Sequence, residues 1–203
     1  MDKLDEYYKF LAEKQTAVHD SGFEIADEDL NPKLFTFQRY CVKRALKTGR
    51  FAMFEDCGLG KTFQQLEWAY QVQKHINRPV LILAPLGVIG QTIKEGEHFG
   101  YEVKEIGLTV FDQDLKAGIY ITNYDNMENI DAYLFGGVVL DESSILKNFA
   151  GKTRTALIED FKDTPYKLCC TATPSPNDTT ELCNHAEFLN VMTRNEMLAM
   201  YFV

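Results

Sequence analysis

Five short apolar runs recur along this chain: "RFAMF" (50–54), "VLILA" (80–84), "GIYITN" (118–123), "GVVLD" (137–141) and "YKLCCTA" (166–172). They are continuous rather than alternating in polarity, and continuous apolar strands belong to sheets covered on both faces. Between them lie 62–75, 88–99, 153–161 and 178–191, where apolar residues return every three or four positions, the period of a helix. Strands separated by helices connect most simply as right-handed crossovers in a mostly parallel central sheet with helices on both faces. The predicted class is α/β. Such a fold aligns the carboxyl ends of its strands along one edge, so that edge is where chemistry is expected.

The 203 residues are 45% hydrophobic and 12% aromatic, which suffices for the core of one domain. Residues 3–18 carry apolar side chains at roughly helical spacing, and the acidic stretch "HDSGFEIADEDLNP" behind them reads as a loop. Residues 1–33 are therefore expected to form an N-terminal helical extension, and 34–203 the main domain. The final run "NEMLAMYFV" reads either as a terminal helix docked on the core or as the point where a longer chain was cut. No 18 consecutive apolar residues occur, and the acidic start Met1–Glu6 has no apolar run behind it, so neither membrane insertion nor export is expected.

Five cysteines, odd in number and without Cys-x-x-Cys pairs, suggest neither a disulfide framework nor a zinc knuckle, and fit a reducing, cytoplasmic setting. The four scattered histidines read as surface or core residues. With 30 acidic against 21 basic residues the net charge is −9, which excludes a protein that coats nucleic acid by bulk electrostatics. Any contact with a polyanion has to be local.

The first run leads into "EDCGLGKT" and then into a helical pattern, the strand, glycine turn and helix that a phosphate-binding loop requires. Backbone N–H groups around Gly58 and Gly60 would cradle a phosphate at the helix start, Lys61 would reach the terminal phosphates, and the Thr62 hydroxyl would bind Mg²⁺. Glu55 stands where the general pattern has its first glycine. A second half of the site follows at the end of "GVVLD", where Asp141 and Glu142 place two carboxylates at a strand terminus. Asp141 is suited to hold Mg²⁺, and Glu142 to orient and deprotonate an attacking water. Together these residues predict nucleotide hydrolysis, with Lys61, Asp141 and Glu142 as catalytic groups.

With those motifs in place, the chain resembles superfamily 2 helicases and translocases, in particular the SWI/SNF-type branch and its phage-encoded relatives, over most of 34–189. In that branch the phosphate loop carries acidic residues before its glycines, so "EDCGLGKT" fits the narrower pattern. "LFTFQRYCVKRAL" is similar to the family's glutamine motif, which implies that Gln38 reads adenine and that the nucleotide is ATP. "LAPLGVIGQTIKE" and "ITNYDNM" resemble two nucleic-acid-contacting motifs, implying contacts from Pro85, Leu86, Gln91, Thr122, Asn123 and Tyr124. "DESSILKN" resembles the branch's continuation of the acidic motif and adds Lys147 as a phosphate contact, while Ser144 stands where many relatives have histidine. "CTATPSPNDTTELCNHAEFL" resembles motif III and its continuation, implying that the hydroxyls of Thr171 and Thr173 couple nucleotide state to a partner lobe. Asp178 and Glu181 in the same stretch also form the pattern of a helix capping box.

The resemblance implies a RecA-like first lobe of a motor that moves on DNA, with RNA possible, in a bacterial or phage-infected cell. Family motors use a second RecA-like lobe that supplies arginine fingers. None of the six arginines here lies in such a motif, so this chain is expected to be a fragment whose second lobe lies elsewhere in the polypeptide. Two other readings are a small-molecule kinase built on the phosphate loop and a single-lobed, nucleotide-gated binding module.

Overall fold

The computed structural model describes residues 20–107, 115–148 and 151–202; the expected helix over 3–18 lies outside them. Each apolar run forms a strand: β1 (Arg50–Phe54), β2 (Val80–Ala84), β4 (Ile119–Asn123), β5 (Gly137–Asp141) and β6 (Tyr166–Thr171). A further strand, β3 (Val103–Glu105), has no counterpart in the sequence prediction. It is three residues long and buries only Val103, too little to produce an apolar run. All pairings are parallel, in the order β1-β6-β5-β2-β4-β3.

The α-helices are α1 (Thr36–Thr48), α2 (Lys61–Ile76), α3 (Ile89–Phe99), α4 (Lys152–Asp160), α5 (Leu182–Phe188) and α6 (Arg194–Tyr201). Successive strand residues point to opposite faces, so β2 supplies two cores at once. Val80, Ile82 and Ala84 pack with Val42 of α1, Leu66 of α2 and Ile89 of α3, while Leu81 and Leu83 pack with Leu157 of α4 and Phe188 of α5. Central strands buried on both sides explain why their sequences are apolar without interruption.

Residues before α1 are tied to it and to α3. The N–H groups of Gly22 and Phe23 donate to the carbonyls of Lys47 and Leu46 at 3.1 and 3.0 Å. The Asn31 amide donates to the Phe99 carbonyl at 3.0 Å and to the Tyr101 hydroxyl at 2.9 Å, which sets the entry to α1. On the far side of the sheet, β6 carries a fully buried Lys167, whose ammonium donates to the Phe188 carbonyl at 2.8 Å and to Asn190 Oδ1 at 3.3 Å. It satisfies the carbonyl end of α5, and burial lowers its pKa to about 8.

One expectation is corrected and another is refined. The capping box at Asp178 is half formed: its carboxylate accepts from Thr180 N–H at 2.7 Å, but Glu181 turns to the Asn177 amide, because a 3-10 turn (Thr179–Glu181) precedes α5. The final run does form a helix, α6, opened by a reciprocal box between Thr193 and Glu196, but none of its residues is buried. Among the described residues, no helix is long and apolar enough to cross a membrane.

Candidate functional site

The strand ends converge as the topology requires. β1 stops at Phe54, residues 55–60 turn, and α2 begins at Lys61. The turn takes positive φ at Gly58 (82°) and Gly60 (78°), a region that L side chains rarely occupy. At Gly60 a Cβ would also lie 2.5 Å from Gln38 Nε2, a side-chain tip that could shift, so it is the conformation that demands glycine. The Lys61 ammonium bends back over the turn and donates to the carbonyls of Glu55 and Asp56 at 2.9 and 3.0 Å. Glu55, the departure from the general pattern, is built into the turn. Its N–H continues the β1–β6 ladder to the Thr171 carbonyl at 3.2 Å, and its carboxylate accepts from Gln64 at 2.6 Å.

Two strands away across β6, β5 delivers Asp141 and Glu142. Asp141 Oδ1 accepts from Gln65 Nε2 at 2.7 Å and from the Glu142 N–H at 3.1 Å. Burial raises the Asp141 pKa and the neighbouring Glu142 carboxylate adds to it, while Gln65 and the Lys61 ammonium oppose the shift. Glu142 has φ of 55°, a strained conformation for a residue with a side chain. Its Oε1 accepts from the Thr171 hydroxyl at the end of β6 at 3.1 Å, and the same hydroxyl accepts from Thr173 N–H at 3.0 Å. The Thr171 hydroxyl therefore links Glu142 to the loop that leaves β6, and Thr173 takes part through its backbone N–H. The next residue, Ser143, is buried and hydrogen-bonded through Oγ to His185 Nε2 of α5 at 3.1 Å. Burial pushes the His185 pKa down to about 4, so the ring is neutral at pH 7. This contact ties the acidic motif to α5, while the Ser144 hydroxyl donates to the Glu142 carbonyl at 3.5 Å.

Gln38 lies against the turn that precedes α2. Its Oε1 accepts from Phe35 N–H at 3.0 Å and its Nε2 donates to the Leu59 carbonyl at 2.9 Å. It lines a cleft of about 630 Å³ with Phe35, Phe37, Gly58, Phe63 and Phe99. Flat aromatic walls beside the turn at Gly58 and Gly60 have the shape and chemistry to take a planar ring.

A second groove of about 530 Å³ opens over the ends of β2, β4 and β5, and Pro85, Leu86, Asn123, Tyr124, Glu142 and Lys147 line it. Five of the seven expected nucleic-acid contacts thus share one groove with Glu142. Two do not. Thr122 is 1% exposed and its hydroxyl donates to the Ile106 carbonyl at 3.2 Å, because strand alternation turns it inward. Gln91 lies on the wall of the Gln38 cleft and donates to Glu95 at 3.0 Å, because the 3-10 turn Leu86–Val88 swings the start of α3 away from the groove. Tyr124 borders the groove, but its hydroxyl donates to the Asp141 carbonyl at 2.6 Å; burial holds its pKa well above the usual range. The hydroxyl braces the acidic motif.

Sequence reasoning missed Gln64, Gln65, Ser143 and His185. The two glutamines were visible as polar residues on the inner stripe of α2, a position that demands a buried partner.

Residues 39–198 match the SNF2-related domain. The chain belongs to that family. Similar proteins include the "Putative protein p41" of Acyrthosiphon pisum secondary endosymbiont phage 1, 28% identical over 184 residues covering 78% of this chain and 40% of that protein. The human DNA repair and recombination protein RAD54B is 30% identical over 173 residues, covering 74% of this chain and 19% of that protein. This SNF2-related chain therefore spans less than half the length of those relatives. Its fold matches the Sulfolobus solfataricus SWI2/SNF2 ATPase core in complex with dsDNA, with a TM-score of 0.71, 22% identity, and coverage of 87% of this chain and 41% of that one.

Proposed function

We propose that this chain is the ATP-binding first lobe of an ATP-dependent translocase on double-stranded DNA. One observation carries the reading: Lys61, the adjacent pair Asp141 and Glu142, and Thr171, from three separate segments, meet at one sheet edge beside a groove lined by Pro85, Asn123 and Lys147. Membership of the SNF2-related family, and the double-stranded DNA in complex with the Sulfolobus solfataricus ATPase core, support DNA as the track.

In this reading Lys61 leaves its two loop carbonyls to meet the β- and γ-phosphates, and the N–H groups of residues 58–62 wrap the β-phosphate at the start of α2. Gln38 and the aromatic cleft receive the adenine. The donor chemistry fits Mg²⁺, because two adjacent carboxylates whose charges oppose each other, and the Thr62 hydroxyl next to Lys61 in the chain, are oxygen donors of the kind a hard divalent cation takes. Thr62 and Asp141 would hold the ion, which supplies charge neutralisation at the phosphates. Glu142 accepts the proton of the attacking water, held in place by Thr171. Gln65 favours the ionised form of Asp141 and fixes its Oδ1. Proline, asparagine and lysine around the groove contact phosphate and sugar, which grips a strand without reading its sequence.

Complete turnover calls for an arginine finger from a second RecA-like lobe, worth about 10³ to 10⁵ in rate. The test is steady-state ATPase of the chain alone and fused to such a lobe, with and without duplex DNA. Expected is slow turnover alone and DNA-stimulated turnover in the fusion; DNA-stimulated turnover at the full rate by the lone chain would refute the half-motor reading. In parallel, Lys61→Ala is expected to weaken nucleotide binding at least tenfold by fluorescence titration, and unchanged affinity would remove the phosphate loop from the mechanism.

A further inference from the structure

The inner face of α1 buries Gln38, Val42, Ala45 and Leu46, and its outer face takes no part in the nucleotide cleft or the strand-end groove. That outer face carries Arg39, Lys43 and Lys47 one turn apart on one ridge, and Tyr40 and Arg44 on the ridge beside it. Four cations within nine residues stand out in a chain of net charge −9. Tyr40 lies among them and is 71% exposed. A ring this open to solvent and interleaved with cations is what a flexible polyanion with stacking bases needs.

A groove of about 570 Å³ runs along this face, and its far wall is acidic. Lys43 pairs with Asp27 at 2.6 Å and Lys47 with Glu24 at 2.7 Å, with Asp20 at 3.7 Å from the same ammonium. The carboxyl groups of Glu24 and Asp27 are held below their ordinary pKa chiefly by hydrogen bonds from Lys47 and Lys43. Both carboxylates remain open to solvent, at 77% and 66% exposure. Ion pairs in water add little net stability and are screened by salt. They can be exchanged for a denser array of negative charge, with release of the ions condensed around it.

We propose that the outer face of α1 is a second nucleic-acid docking surface, separate from the strand-end groove, that takes a single strand, and that the acidic segment 20–29 is its resident competitor. A strand placed there would lay its phosphates along the cation ridge and stack a base on Tyr40. The surface communicates with the nucleotide cleft through the same helix, because Gln38 on the inner face holds the Leu59 carbonyl of the phosphate loop. The proposal does not depend on ATP being the nucleotide.

The test is fluorescence anisotropy of a labelled oligonucleotide of about 20 nucleotides, without nucleotide, in a Lys147→Ala background that weakens the strand-end groove. Lys43→Gln/Arg44→Gln/Lys47→Gln is expected to lower affinity at least tenfold at about 50 mM salt and to reduce the slope of log K against log salt by about 2, from three contacts at about 0.7 each. Glu24→Gln/Asp27→Asn, which removes the competitor, is expected to raise affinity severalfold. A purely structural role for these pairs would lower the melting temperature of both variants and leave the salt slope untouched. If the triple variant unfolds, Arg44→Gln alone, at an exposed position, should still reduce the slope by about 0.7. An unchanged slope, or tighter binding of a polyglutamate peptide than of the oligonucleotide, overturns the proposal; the latter assigns the face to an acidic protein. Lys61→Ala should leave this binding intact, so failure here and failure of the ATP-lobe reading give different results.

Discussion

Gln65 holds Asp141 through one hydrogen bond of 2.7 Å, and Gln65→Leu removes it while keeping side-chain volume and helix propensity close to the original. A hydrogen bond to a charged acceptor contributes about 1.5–3 kcal/mol to stability. The other amide atom, Gln65 Oε1, is buried with no hydrogen-bond partner among the described residues. Its removal relieves a buried unsatisfied acceptor, so the expected net loss lies at the low end, about 1.5 kcal/mol at pH 7. The loss is tied to ionised Asp141. That carboxyl has a raised pKa in the folded state, so it loses its proton from the unfolded chain first, and stability falls as pH rises from the ordinary value of 3.8 through the folded one. Gln65 opposes that shift, hence its removal deepens the penalty above the transition and matters little below it. Urea denaturation of wild type and variant at pH 7 and in the mildly acidic range, while the protein remains folded, measures this directly. A destabilisation equal at both pH values, or below about 0.5 kcal/mol at pH 7, a value typical of a neutral surface change, refutes the argument that Gln65 acts on the Asp141 charge.

Thr171→Val removes the hydroxyl that bonds Glu142 and keeps the β-branched shape. In a lobe-complete ATPase, single-turnover hydrolysis should fall about 10- to 100-fold, the rate equivalent of a hydrogen bond to a carboxylate, with nucleotide affinity unchanged. Gly60→Ala forces a Cβ into a turn with φ of 78° and against Gln38; a loss of about 1–3 kcal/mol in urea unfolding is expected from the strained backbone, together with weakened nucleotide binding. Lys167→Met tests the buried ammonium. Its folded pKa of about 8 lies below the ordinary 10.5, so between those values the unfolded chain holds more protons and Lys167 makes stability rise with pH. The difference in stability between wild type and Lys167→Met should therefore shift in favour of wild type from pH 8 to pH 10, read from urea midpoints; a constant difference would show that the group titrates normally.

Most of the fold was legible because its strands are buried on both faces, which writes them into the chain as unbroken apolar runs. β3 was not, since an edge strand of three residues with one buried side chain leaves no pattern. The candidate site divides in the same way. Asp141 and Glu142 sit at the end of β5, and Lys61 opens the helix after the turn that leaves β1, so sequence order and fold class already put them on one edge. The placement of Gln91 and Thr122 depended on a 3-10 turn and on the inward side of an alternation, which the residue types alone do not settle.

What the sequence determined by itself is the α/β class, the glycine turn before α2 and the carboxylate pair that follows β5's apolar run, because each is a local pattern: a hydrophobic period, two glycines in a turn, two carboxylates ending a strand. What only the tertiary structure decided is how those pieces are held. Gln65 reaches Asp141 across 76 positions of chain, Ser143 reaches His185 across 42, and the acidic segment lies on the cations of α1. Polar side chains such as these carry no periodic signal, and their partners are selected by burial and by the distances that packing imposes.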